Sequence, residues 1–144
     1  MTATVDKSIS QNYYLSVLID WPRSFDQQYD RMEADESPEG KQRFALLVAM
    51  LQILEELQTP PEIETPTLKR VRQSRNNVVW RVSHPYTPDI ALRLICWFPP
   101  DEDKVVVTLF SGDKAKMGDI FYDTVGIRSD QAISQWLKER KESQ

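Results

Sequence analysis

Apolar and polar positions change period several times along the chain, and each change predicts an element. The run Tyr13 to Ile19 is rich in aromatic and β-branched residues and stops at Asp20-Trp21-Pro22, which predicts a first strand. Ser24 then offers an N-cap for a short helix to about Glu33, with Phe25, Tyr29 and Met32 on one face. Asp35 to Gly40 interrupts that helix, and Ser37-Pro38 opens the next with an N-cap followed by proline at the first helical position. This second helix runs from about Glu39 to Leu57. Phe44, Leu47, Val48, Leu51 and Leu54 form one stripe, and Leu46, Met50, Ile53 and Leu57 form another beside it, so the helix needs cover on more than one side.

Pro60, Pro61 and Pro66 predict a stiff, extended linker, because proline and the residue before it disfavour helix. Three strand-like runs follow, Val78 to Val82, Ile90 to Phe98 and Val105 to Phe110, divided by the turn segments His84 to Asp89 and Pro99 to Asp103. Short links favour an antiparallel meander. The middle run is almost wholly apolar, which predicts a central strand covered on both faces, and Arg93 is its one charged member. A helix is expected after Gly112-Asp113, and a separate one capped by Ser129 with Ile133, Trp136 and Leu137 facing inward. The polar end, Lys138 to Gln144, is expected to fray.

Composition narrows the class. With 144 residues, 40% hydrophobic and 28% charged, the chain fits one globular domain, residues 1–144, comprising an N-terminal strand-helix-helix part (about 13–57) and a sheet part (about 67–144). One cysteine, Cys96, and one histidine, His84, can supply neither an intrachain disulfide nor a Cys/His zinc site. The first residues lack a signal-peptide pattern, and the longest apolar stretch, Phe44 to Leu51, is far short of the roughly 20 residues of a membrane span. The expectation is a soluble cytoplasmic protein with no membrane partner. Neither GxGxxG, a phosphate-binding P-loop nor a GxSxG elbow occurs, and no cofactor or metal is expected.

The net charge of -4 argues against a polyanion partner until it is divided by region. Up to Pro66 five basic residues stand against twelve acidic ones, and beyond it thirteen against ten, so the two parts carry -7 and +3. Lys69, Arg70, Arg72, Arg75 and Arg81 occur with no carboxylate among them. Such a cluster focuses positive potential locally in an acidic molecule. A solvated loop with a basic bias would give the same composition.

The pieces LKRVRQSRNNVVWRVSH, ALRLICWF and KVVVTLFSGDKAKMGD, in that order after two helices, resemble the RelE/ParE toxin superfamily, especially its HigB-like, phage-derived branch. The resemblance covers most of the chain from about Phe25 onward. It implies an α+β fold, a small antiparallel sheet of about four strands with helices packed on one side and a basic concave face on the other. It further implies the toxin component of a toxin-antitoxin pair, a metal-independent endoribonuclease that cleaves ribosome-bound messenger RNA and is neutralised by a cognate antitoxin protein. Arg81 and Arg93 would face the concave surface from adjacent strands. Lys114 and Lys116 would lie beyond the last strand, and Lys69, Arg70, Arg72 and Arg75 would border the RNA-binding groove. The chain departs from the family where its two lysines are spaced and Asp113 is added. A non-catalytic protein of the same fold, a gyrase-type inhibitor or a module that binds RNA or protein, is the alternative.

Cleavage through the 2′-hydroxyl needs a base, an acid and stabilisation of charge on phosphorus. Arg81 and Arg93 suit the last role, because a guanidinium can hold two phosphate oxygens; for Arg93 an ion pair with Asp113 or another carboxylate is the structural alternative. Lys114 or Lys116 could serve as base if neighbouring cations lower its pKa, and otherwise they are surface lysines opening a helix. An ordinary histidine has the titration range for acid-base work, but His84 sits in a turn, and Tyr122 reads first as helix packing, with an acid-base role as the alternative. Trp80 and Trp97 could stack on bases or fill a core, and Cys96 reads as packing. Both a monomer and a homodimer remain open.

Overall fold

In the computed structural model, residues 17–84 and 89–143 are described. Nine elements follow in chain order: β1 (Leu18–Asp20), α1 (Arg23–Ala34), α2 (Pro38–Glu55), β2 (Leu68–Arg70), β3 (Trp80–Ser83), β4 (Leu92–Trp97), β5 (Val105–Asp113), α3 (Lys114–Met117) and α4 (Ile120–Glu142). The expected first strand survives as β1, although Tyr13 to Ser16 lie outside the described residues, as do residues 85–88 of the expected turn. The Ser37 hydroxyl accepts a 3.0 Å hydrogen bond from the Gly40 N–H, so the predicted N-cap of α2 forms.

The fold is α+β, with one five-stranded sheet in the order β1-β5-β4-β3-β2. Two features differ from a four-stranded antiparallel sheet. Leu68 to Arg70, part of the basic segment, pairs antiparallel with Val82 to Trp80 and adds an edge strand. At the other edge β1 pairs with β5 in parallel, with Leu18 opposite Val105 and Asp20 opposite Val107. The sheet is therefore mixed. The three residues of β2 are too short to show a period-two pattern.

Helices cover both faces, not one. Alternation along the strands sends Trp80, Val82, Leu92, Leu94 and Cys96 into a core with Phe25 of α1 and Leu47, Met50, Leu51 and Leu54 of α2. The opposite set, Ile95, Trp97, Val107 and Leu109, packs on Phe121, Val125, Ile133 and Trp136 of α4. Strand β4 is central and apolar on both sides, so burying it requires a second cover, which α4 supplies. The wide arc of α2 has the same explanation: its buried residues meet the sheet, and Phe44, Leu46, Ile53 and Leu57 pack around the rim of that core.

Helix α4 runs unbroken through Ser129, which is buried at 1% exposure between Val125 and Ile133 and caps nothing. Leu137, expected to face inward, is 47% exposed. The polar end stays helical to Glu142, because its charges have partners. Buried Glu139 accepts the Arg23 N–H at 3.0 Å, and Arg140 donates through Nη1 and Nη2 to the two carboxylate oxygens of Glu102 in the β4–β5 turn. Trp136 Nε1 donates to Asp20 at 3.0 Å, so the C-terminal half of α4 is fastened to both ends of the sheet's β1 edge.

Candidate functional site

The α4 face of the sheet is covered unequally. Toward the β2–β3 end it opens into a cleft of about 350 Å³ lined by Lys69, Arg72, Arg81, Arg93, Lys114 and Tyr122, with Glu64, Arg70, Val71 and Gln73 completing its wall. Strand register brings the cations together. Lys69 lies directly opposite Arg81 across the β2–β3 pair, and Arg93 lies opposite Ser83 on one side and Gly112 on the other. All point to the α4 side because Trp80, Val82, Leu92 and Leu94 point to the other.

Among the described residues no ion pair neutralises Lys69, Arg72, Arg81, Arg93 or Lys114. Arg81 donates to the Ser83 hydroxyl at 3.3 Å, and Arg93 donates through Nη1 to the Leu92 carbonyl at 3.1 Å. The Nε of Arg93 is buried with no hydrogen-bond partner. Lys114 Nζ sits 5.4 Å from the centre of the Tyr122 ring, so amine and phenol share one edge of the cleft. Glu64 is the sole carboxylate of the lining, and its Oε2 accepts the backbone N–H of Arg70 at 2.9 Å.

A bulge in β5 decides where the next carboxylate goes. Ile95 pairs with Phe110 but Cys96 pairs with Thr108, which leaves Leu109 without a partner and sets both Leu109 and Phe110 into the α4-side core. Beyond the bulge, Gly112 faces the cleft side and Asp113 the α2 side. The anticipated Arg93–Asp113 pair therefore cannot form. Asp113 Oδ1 accepts from the N–H groups of Ala91 and Ala115, each at 3.0 Å, which caps α3 and pins it to the start of β4. Its Oδ2 lies 4.0 Å from Arg43 of α2. With the Lys114 N–H bonded to the Ala91 carbonyl at 2.9 Å, Asp113 positions Lys114 at the cleft while keeping its own charge outside. A methyl group at Gly112 would come within 2.5 Å of Phe121, so only glycine lets α4 close here.

Three anticipated site residues lie elsewhere. Lys116 Nζ bonds to Glu39 of α2 at 3.1 Å. His84, exposed after the end of β3, is not part of the cleft wall. Arg75 leaves the cleft and runs its aliphatic stem past Gly126 of α4. Arg70 reaches the wall, but its guanidinium lies 4.8 Å over the Trp80 ring and donates to the Glu62 carbonyl at 3.1 Å. Trp80 and Trp97 are buried in the two cores, so neither offers a stacking surface. Burial pushes the Cys96 thiol far above its ordinary range, which leaves it inert. Gly112, Gln73 and the capping role of Asp113 were not visible as site features; Gly-Asp before a helix is the one local signal, and it reports the cap without its consequence.

What these features define is a small α+β protein whose sheet ends in an un-neutralised cationic cleft edged by an amine and a phenol. Among the described residues no group of three His, Cys, Asp or Glu side chains could hold a metal ion, and no helix is long and apolar enough to cross a membrane. Comparison with protein-family models, with curated proteins and with solved structures finds no match to this chain.

Proposed function

We propose that the protein is a toxin of the RelE/ParE type, a cytoplasmic endoribonuclease that cleaves ribosome-bound messenger RNA without a metal ion and is held in check by a cognate antitoxin. The observation that carries this reading is the convergence of Lys69, Arg72, Arg81, Arg93 and Lys114 on one cleft without a neutralising ion pair. Unpaired cations repel one another and favour a polyanion that neutralises several at once. Arg81 and Arg93 stand on adjacent strands, which suits two guanidinium forks gripping one phosphodiester.

In the reaction, the 2′-oxygen attacks phosphorus and the bond to the 5′-oxygen breaks, leaving a 2′,3′-cyclic phosphate and a 5′-hydroxyl. Arg81 and Arg93 stabilise the charge that builds on the phosphoryl oxygens. Lys114 and Tyr122, adjacent at the cleft edge, are the groups available to take the 2′-hydroxyl proton and to protonate the leaving oxygen. Lys116 and His84 drop out of this scheme.

The test is induction of the intact protein in growing cells, with mapping of messenger RNA ends and cleavage assays in a translating extract. New ends within coding regions, absent for the Arg81→Ala, Arg93→Ala double variant, are expected. A folded protein that neither slows growth nor generates ends overturns the reading. The exclusion of Lys116 and His84 favours a second one, a non-catalytic protein of the same fold that binds RNA. It predicts salt-sensitive RNA binding with no cleavage.

A further inference from the structure

The opposite flank of α4 carries a second groove, of about 320 Å³, between α1, β5 and α4. Gln28 forms part of its wall and is tied to the β5 backbone: its amide donates to the Ser111 carbonyl at 3.0 Å and accepts the Ser111 N–H at 2.8 Å, closing the free edge of β5. The remaining polar lining is Ser24 and Arg31 from α1 and Arg128, Gln131 and Gln135 from α4, with no carboxylate.

Arg128 is the informative residue. Its guanidinium lies 4.0 Å over the Phe110 ring, and both residues line the groove. The side chain is partly buried, and that desolvation pulls its pKa down. Among the described residues neither Arg128 nor Arg31 has an ion-pair partner or a side-chain hydrogen bond. This differs from the surface arginines Arg23 and Arg140, each matched to a glutamate. A partly buried guanidinium with no acceptor and a second arginine lining the same groove from another helix make a site suited to an oxyanion.

We infer that this groove binds a phosphate monoester of about mononucleotide size, its phosphate held by Arg128 and Arg31 and its polar body by the amides of Gln131 and Gln135. The volume is at the small end of ligand sites, too large for a bare ion. Paired amide donors and acceptors suit a polar organic body better than an apolar one. Such a phosphate has two sources, a free nucleotide or the phosphorylated end of a nucleic-acid strand. The inference stands on this groove alone and does not depend on the activity of the cleft across α4.

The experiment titrates the full-length protein with 5′-AMP, with a 5′-phosphorylated single-stranded tetranucleotide and with the same tetranucleotide bearing a 5′-hydroxyl, read by amide chemical shifts and calorimetry. Shifts at Arg128, Gln131 and Gln135 are expected, with AMP affinity at least fivefold weaker in Arg128→Gln and in Arg31→Gln and unchanged in the Arg81→Ala, Arg93→Ala variant. Arg31 is exposed, so its variant keeps the test valid if Arg128→Gln unfolds. Tenfold tighter binding of the 5′-phosphorylated strand than of AMP assigns the site to a strand end; equal or weaker binding assigns it to a free nucleotide. The absence of binding by all three probes, shifts confined to Lys69, Arg81 and Lys114, or full affinity in both arginine variants would overturn it.

Discussion

The two faces of the sheet handle charge in opposite ways. On the α2 side, Arg43 lies 3.7 Å from Asp35, 3.5 Å from Glu39 and 4.0 Å from Asp113, and Lys116 shares Glu39. Arg43 and Lys116 each have a carboxylate there, and this cluster fastens α2 to α3. On the α4 side, Arg81, Arg93 and Lys114 sit at the same end of the same strands with none. Buried or half-buried charge is costly unless compensated, so the first arrangement is what stability requires and the second is what a charged ligand requires. The β5 bulge separates the two regimes, since it turns Asp113 away from Arg93.

The largest effect should come from removing the unpaired forks. Arg81→Ala with Arg93→Ala is expected to lower RNA cleavage by about 10³-fold or more, given that a single lost transition-state donor costs about 10²–10³. Circular dichroism and thermal melting should show the fold intact. Loss of activity together with loss of folding would mean that these arginines are structural, and the contrast between the faces would collapse.

A matched pair of substitutions sharpens the contrast. Arg43→Met should destabilise by about 1–3 kcal/mol, because it removes the cation beside Asp113 Oδ2, which is buried with no hydrogen bond of its own. Arg93→Met removes a buried Nε that has no partner, so stability should hold or rise by about 0.5–1 kcal/mol, as at sites where function is kept at the expense of stability. Urea unfolding of the two variants measures the difference directly. Equal destabilisation would show that Arg93 is compensated after all.

Much of this arrangement was legible in the chain, and the limits have physical causes. The long elements announced themselves through period: α1, α2, β4 and most of β5 fall within a few residues of their expected ends. The regional charge split pointed to the cleft, and Lys69, Arg72, Arg81, Arg93, Lys114 and Tyr122 do converge there. A strand of three residues carries too little pattern, which is why β2 shows in the chain only as a basic segment. Ser129 reads locally as a cap, but tertiary burial on α4 overrides that preference. Lys114 and Lys116 look equivalent in sequence; one backbone turn sends the first to the cleft and the second to Glu39. A bulge, which reverses every side chain after it, leaves no compositional mark.

Asp113 tests that turn. Asp113→Ala should cost about 1–2 kcal/mol through loss of the cap on α3, with the Ala91 N–H left unsatisfied. Cleavage should fall further than stability predicts, since Lys114 loses its anchor, and Asp113→Asn should recover most of both by keeping the accepting oxygen. If the alanine variant cleaves at the wild-type rate once folded, Asp113 serves the fold alone.

The smallest effect concerns the far end of α4, the helix that walls both grooves. Arg140 holds the Glu102 carboxyl below its usual range, chiefly through their hydrogen bonds and also through its charge. A depressed carboxyl contributes stability that is present above the unfolded value of about 4.3 and is lost as pH falls through the lower folded value. Both side chains are partly exposed, so solvent screening limits the pair to about 1 kcal/mol or less at neutral pH. Glu102→Gln should therefore lower the unfolding free energy slightly at pH 7, and the gap between variant and wild type should close steadily as pH drops below about 4. A gap that persists or widens in acid would assign the effect to packing of the β4–β5 turn. A closing gap would identify a paired charge of the same kind as Arg43, set on the cleft's own helix but away from the cleft.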